Sequence, residues 1–137
     1  NVKILDFGCG LGKLKQFLGQ KVINYDILPE LNEVGNWKNQ KFDVVVANEV
    51  FYLFNEKQLR DFLFELQKIA PKIELIVGIS KQRILNKIAA FLAREKDAHE
   101  NTLLSPHRQI EILKEKMQLI KKTSVFFMCD VFLFKFR

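Results

Sequence analysis

ILDFGCGLGKL, Ile4 to Leu14, sets glycines at 8, 10 and 12 directly behind a short apolar run, and its reading decides the fold. Glycine has no Cβ and accepts positive φ, so Gly8, Gly10 and Gly12 let the main chain turn sharply and lie against a ligand at van der Waals distance. The residues before the loop, Val2 to Phe7, are few and apolar, as in a strand buried on both faces. Those after it, Gly12 to Leu18, carry Leu14, Phe17 and Leu18 at helical spacing, and Gly19 stands where such a helix ends. The stretch predicts strand, tight loop and short helix.

Outward from there the alternation continues. Lys21 to Tyr25 reads as a second strand closing on Asp26, and Phe42 to Ala47, FDVVVA, as a buried strand. The segment between them, DILPELNEVGNWKNQK, is too short and polar for a full helix and strand. Asn55 is placed to cap a helix through Ala70, with Leu59, Phe62, Leu63, Leu66 and Ile69 in one apolar stripe and Pro71 at its exit. Ile73 to Ile79 predicts another buried strand, and Gln82 to about Glu95 an amphipathic helix. A polar loop, KDAHENTLLS, follows, and Ser105 with Pro106 opens a helix to about Gln118. The Phe-rich end, IKKTSVFFMCDVFLFKFR, reads as two strands turning near Cys129 and Asp130, with one face on the core. Together these imply an α/β, Rossmann-like three-layer sandwich: a mostly parallel sheet with an antiparallel C-terminal edge hairpin. In such sheets ligands bind beyond the carboxyl ends of the strands, beside the first strand, where the glycine loop lies.

With 137 residues, 48% hydrophobic and 28% charged, the chain suits one domain, 1–137, with one core. Its net charge of +6 comes from 22 Lys and Arg against 16 Asp and Glu, spread over nearly every segment. Phosphate-backbone binding needs a concentrated patch, so a solvated basic surface is preferred over a nucleic-acid footprint. The basic residues Lys81, Arg83, Lys87 and Arg94 read the same way, as a solvated face before one that meets an acidic substrate. Cys9 and Cys129 are far apart with no metal-type CxxC spacing, so no metal site is expected and the compartment is read as reducing. No run approaches the ~20 uncharged residues of a membrane span, and no signal-peptide pattern opens the chain. A soluble, cytoplasmic protein is expected, and no pattern in the chain speaks to oligomeric state.

Asp26, at the end of the second strand, can accept hydrogen bonds from the two hydroxyls of a ribose, and its charge strengthens both. A flat, adenosine-bearing ligand fits the glycine loop and this acid together. The helix starting after Gly12 offers N–H groups to a carboxylate or phosphate.

These residues resemble the class I S-adenosylmethionine-dependent methyltransferases, most of all their small-molecule, type 11 members. Asp6, Gly8, Gly10 and Gly12 match the family's first motif, DxGxGxG; a nicotinamide fingerprint would need its third glycine at position 13, where Lys13 stands. Asp26 to Glu30, DILPE, is similar to the second motif, and FDVVVANEVFYLF to the fourth strand and following loop. Val34 to Trp37 falls where a short third strand and its adenine-contacting acid belong. KIELIVGIS, the His99 loop and the Ser105 helix are similar to the closing portion, so the resemblance covers almost the whole chain.

The resemblance implies S-adenosylmethionine (SAM) as cofactor and S-adenosylhomocysteine (SAH) as product. It implies that Asp6 orients the methionine amino group, directly or through water, while the backbone of Gly8, Cys9, Gly10 and Gly12 passes under ribose and methionine. Asp26 would hold the ribose hydroxyls, with Ile27 next to it in the binding set. Asn36 takes the place of the adenine-contacting Asp, Trp37 flanks the adenine or is simply packed, and Asn48 lies near the methionine end.

The chain also departs from the family. Tyr52 and Leu53 replace a frequent Glu-His pair, which removes a general base, and Asn48 is followed by Glu49 and Val50 in place of an Asn-Pro-Pro-Tyr signature. No cysteine sits in a Pro-Cys context, which disfavours cytosine C5 chemistry. The chain starts almost at the first strand, without the family's leading helix, and Asn1 in place of Met favours residues upstream. Methyl transfer from a sulfonium is a direct displacement that needs alignment and exclusion of water. Where the acceptor must lose a proton, Glu49, Tyr52 and His99 are the candidates, each also readable as an ordinary loop or surface residue. Cys9 reads as a small filler, not a nucleophile. The expectation is a methyltransferase acting on a small-molecule acceptor. The alternatives are a SAM-binding subunit without activity and an NAD-dependent oxidoreductase, the latter disfavoured by Lys13.

Overall fold

Short β-branched and apolar runs build the sheet, and their alternation decides which face meets the helices. The computed structural model describes residues 2–80, 104–125 and 129–137. Strand β1 (Ile4–Phe7) lies between β2 (Val22–Tyr25) and β3 (Val44–Asn48), parallel to both. Strand β4 (Glu74–Ser80) pairs in parallel with β3. The chain ends with β5 (Met117–Val125) and β6 (Cys129–Phe136), and the sheet order is β2-β1-β3-β4-β6-β5. β6 runs antiparallel to both its neighbours, so the last strand is inserted between β4 and the outermost β5.

One face of this sheet presents Leu5, Phe7, Val45, Ala47, Leu75 and Val77 to the core. Phe134 and Phe132 extend that face, directly opposite Leu75 and Val77. Helix α2 (Glu56–Ile69) covers it with Leu59, Phe62, Leu63 and Leu66, and helix α3 (Pro106–Lys116) adds Ile112 and Leu113. Helix α1 (Lys13–Leu18) stands on the other side, where Leu14 and Phe17 share a cavity with Val46 and Ile76. Helices on both faces of a mostly parallel sheet make the expected Rossmann-like α/β sandwich.

Capping sets the helix starts. Asn55 Oδ1 accepts from Gln58 N–H at 2.8 Å while Gln58 Oε1 accepts from Asn55 N–H at 2.8 Å, a reciprocal capping box; Ser105 Oγ accepts from Arg108 N–H at 3.2 Å. A charged cluster then joins α2 to α3. Glu56 accepts from Arg60 at 2.9 Å and from Arg108 at 2.6 Å, and Arg60 grips Glu115 through two bonds of 2.9 and 2.7 Å. These guanidinium contacts hold the Glu56 carboxyl down at about 2.

The structure corrects several expectations. No strand forms at Val34 to Trp37: residues 27–43 hold only the single 3-10 turns Pro29–Leu31 and Trp37–Asn39. Asn36 caps the second turn, and burial of the Trp37 ring pulls that turn onto the core. The Ser105 helix stops at Lys116 instead of Gln118, because Met117 is extended and wholly buried and starts β5 at once. Ile69 is 37% exposed: the apolar stripe outruns the sheet, and Ile69 opens onto a cleft shared with Pro71 and Ile73. Cys129 and Asp130 lie inside β6; residues 126–128 lie outside the described residues, as do those of the helix expected at 82–95 and of the expected His99 loop.

Leu66 is fully buried, so Leu66→Ala is expected to cost about 2–5 kcal/mol in urea unfolding. The Glu56 carboxyl titrates at about 2 in the folded chain, below its ordinary value of 4.5. Its contribution is complete above that ordinary value and is lost as pH falls from there through the folded value. Glu56→Gln should therefore lower Tm at neutral pH, with the difference closing toward pH 2 and shrinking in salt, since the pair is exposed.

Candidate cofactor and active site

The loop between β1 and α1 is shaped by what its glycines exclude. Gly8 and Gly12 adopt φ of 77° and 66°, a region that costs other L-residues about 1–2 kcal/mol. A Cβ at Gly8 would also sit inside the methyl groups of Val50, and one at Gly12 would come within 2.7 Å of Asn24 Nδ2. At Gly10 a Cβ would meet nothing within 4 Å, so the space above the loop is open. The loop amides are largely engaged internally. Gly8 and Cys9 donate to the Tyr25 carbonyl at 2.7 and 3.1 Å, Gly12 to the Cys9 carbonyl at 2.9 Å, and Gly10 to Asp26 Oδ2 at 3.0 Å. What the loop offers a ligand is a bare surface more than a set of donors.

Two carboxylates border that surface. Asp26, just beyond β2, uses Oδ2 on Gly10 and Oδ1 on Leu28 N–H at 3.1 Å, which ties the two loops together. It lines a cavity of about 490 Å³ with Gly8, Ile27, Glu49, Val50 and Leu53. Asp6, at the end of β1, is 6% exposed, and no donor among the described residues hydrogen-bonds its carboxylate. Burial first, then the charge of Asp26, pushes its pKa up to about 6. Asp6 opens on a second cavity of about 510 Å³ shared with Cys9, Asn48, Gly78 and the α1 residues Leu14 and Phe17. The two cavities have one lining residue in common, Gly8.

The remaining candidates fall partly in these spaces and partly outside them. Ile27 is exposed and lines the Asp26 cavity. Trp37 lines it too, but as part of its buried aromatic floor, edge-on to Phe7 at 5.7 Å and 5.4 Å from Phe62. Asn36 lines neither cavity; its Oδ1 accepts from Lys38 N–H at 3.0 Å. Asn48 borders the Asp6 cavity with its side-chain oxygen folded over Gly78. Glu49 lines the Asp26 cavity and holds φ of 58°, strained for a residue with a Cβ, with its N–H donating to the Gly78 carbonyl at 3.0 Å. Tyr52 is half-buried in the 3-10 turn Phe51–Leu53 and lines neither cavity. His99 lies outside the described residues.

Cys9 sits with its thiol 3.6 Å from the carbonyls of Gly10 and Leu31. Burial, then the charges of Asp6 and Asp26, pushes that thiol up to about 11, so it is protonated at neutral pH and unsuited to attack. Among the described residues no group of three or more His, Cys, Asp or Glu is arranged to hold a metal, and no helix is long and apolar enough to cross a membrane. Sequence reasoning missed Val50, Leu53 and the α2 residues that line the Asp26 cavity. Their only signal was position, since contact with a loop some forty residues earlier leaves no periodic trace.

No protein-family model matches the chain, and no curated protein matches it by sequence. Solved structures do match. A protein of Pyrococcus horikoshii OT3 is similar at a TM-score of 0.71 and 15% identity, over 98% of this chain and 82% of that one. The N-methyltransferase NodS of Bradyrhizobium japonicum WM9 is similar at 0.67 and 16%, over 98% and 85%. Magnesium protoporphyrin IX methyltransferase of Synechocystis PCC 6803, with bound SAH, is similar at 0.63 and 17%, over 98% and 74%. The chain has the class I methyltransferase fold. In this methyltransferase fold the glycine loop, Asp6 and Asp26 all stand at the carboxyl ends of β1 and β2, where an α/β sheet takes its ligand.

Gly8→Ala combines a strained φ with a steric overlap and is expected to cost about 2–4 kcal/mol in urea unfolding, against about 1–2 for Gly10→Ala, which meets only the strain. Adding Val50→Ala to Gly8→Ala should cost less than the two single effects summed, because the pair is in contact.

Proposed function

We propose that the chain is a SAM-dependent methyltransferase acting on a small-molecule acceptor. One juxtaposition carries the reading: two cavities share Gly8, one bordered by the Asp26 carboxylate, the other by a buried carboxylate, Asp6, with no hydrogen-bond donor among the described residues. A ligand lying across Gly8 would have to present hydroxyls or other donors at one end and a cation at the other. SAM has a ribose diol beside its base and an ammonium at its amino-acid end, and the residues present fit both. Asp26 would hold the diol and Asp6 the ammonium. When bound, SAM supplies a methyl group activated by a sulfonium. The similarity to methyltransferases such as NodS and the SAH-bound Synechocystis enzyme supports the same cofactor.

The chain's own residues bind, orient and exclude water. Leu11, Leu14, Phe17, Val46, Ile76 and Val131 make the Asp6 cavity largely apolar, which suits an acceptor with an apolar body and keeps water from the displacement. Among the described residues its titratable lining is Asp6, Cys9 and Lys13, which suits alignment of an acceptor atom whose lone pair is available at neutral pH. One observation favours a second reading, a SAM-binding subunit without turnover: neither Glu49 nor Tyr52 lines the Asp6 cavity. Transfer of labelled methyl to a panel of small amines, thiols and hydroxy compounds separates the two.

Calorimetric titration at pH 8 is expected to give micromolar binding of SAM and SAH, none of NAD, and loss of binding in Asp26→Ala. Holding an ammonium requires Asp6 to be ionised, and its pKa in the free chain is about 6. Affinity should be greatest between that value and the ammonium's own titration at about 8, and fall about tenfold per pH unit below the first, with protons released on binding there. Asp6→Asn should bind more weakly at pH 8 and show no such slope. A folded protein that ignores both sulfur ligands would sink the reading.

A further inference from the structure

We propose that the adenine base is read by helix α2, through Gln58 and Asp61, and not by the loop that carries Asn36. The inference rests on the donor reading above and assigns its base-specific contacts. Between Asp26 and β3 the chain forms only two single 3-10 turns, so no strand or helix stands between the β2 loop and α2. The far wall of the Asp26 cavity therefore comes from α2 itself. Gln58, Asp61, Phe62 and Glu65 fall at i, i+3, i+4 and i+7, one face of a helix, and all four line this cavity. Phe62 from that face is buried in the aromatic floor, while the polar three stand around it.

The wall carries the chemistry that an adenine edge requires. Adenine presents an exocyclic amine, a donor, beside a ring nitrogen, an acceptor. Gln58 spends Oε1 on Asn55 N–H in the capping box at 2.8 Å, which fixes the side chain and leaves its Nε2 as the donor. Asp61 supplies the acceptor; its partner is Lys57, in an i,i+4 pair that is 60% and 83% exposed and easily exchanged. Glu65 is tied to Lys38 at 3.1 Å, and Asn36 spends its oxygen on Lys38 N–H. Ile27 and Leu53, apolar yet 86% and 60% exposed, line the same cavity and offer faces for a flat ring.

The test compares binding of SAH with its inosine counterpart, in which the amine becomes a carbonyl and the ring nitrogen a donor. The wild-type chain is expected to prefer SAH by about 10–100-fold, because the wrong base leaves Asp61 and Gln58 facing like groups. Asp61→Asn, whose amide can accept or donate, should bring the two ligands to within about threefold. Gln58→Glu keeps the capping acceptor, so the helix start is preserved, and removes the donor; it should shift the preference toward the inosine ligand. Asn36→Ala should leave the preference unchanged. Loss of the preference in Asn36→Ala, or its persistence in both α2 variants, would overturn the assignment while leaving the donor reading intact. Failure of the folded wild-type chain to bind either ligand would overturn both.

Discussion

Val50 fills the space where Gly8 would otherwise carry a side chain, and that contact sets the geometry of everything around the site. It brings the loop after β1 against the loop after β3 at a distance no other residue at position 8 permits. The approach has a backbone cost one residue earlier, where Glu49 takes a left-handed φ to aim Val50 at the glycine. Gly8 lines both of the cavities that flank this junction.

The polar groups follow from the same packing. Asp26 is committed to the glycine loop and to its own turn, so it acts as a bracket that happens to present a carboxylate. Behind it, Lys15 pairs with Glu33 at 2.6 Å, Glu33 accepts from Asn24 N–H at 3.0 Å, and Asn32 accepts from Asp26 N–H, fastening residues 26–33 to α1 and β2. Asp6 has no such bracket among the described residues. Placed at the end of a buried strand beside a second acid, it stays under electrostatic tension that a cationic partner relieves. A bracketed carboxylate and a buried one on either side of one glycine give the site its polarity.

Much of this was legible in the sequence, for reasons that differ by element. The glycine loop, Asp6 and Asp26 could be read because their constraints are local: glycine spacing, a strand before, a helix after. The α2 boundaries could be read from Asn55 and Pro71, since caps and breakers act within a turn. For residues 27–43 the composition excluded a full helix and strand, as observed, but not the packing of Trp37 against Phe7 and Phe62, which lie in distant elements. Asn36 illustrates the difference: the resemblance implies a contact with the base, whereas its Oδ1 caps a 3-10 turn by accepting from Lys38 N–H, a local role that the resemblance does not show. Val50 and the cavity-lining face of α2 leave no local mark at all.

The placement of β6 bears on how the chain is made. Along β4 the residues Leu75, Val77 and Ile79 form an apolar strand whose second edge pairs with β6, while β5, synthesised earlier, lies one position further out. During translation β4 must wait through the whole of α3 and β5 before its partner leaves the ribosome, holding a row of unpaired N–H and C=O groups exposed to other nascent chains. Once β6 is in place, Lys122 of β5 pairs with Asp130 of β6 at 3.0 Å and sits over the Phe132 ring, tying the two last strands together. The interval before β6 arrives is the stage at which a chaperone would matter most to this protein.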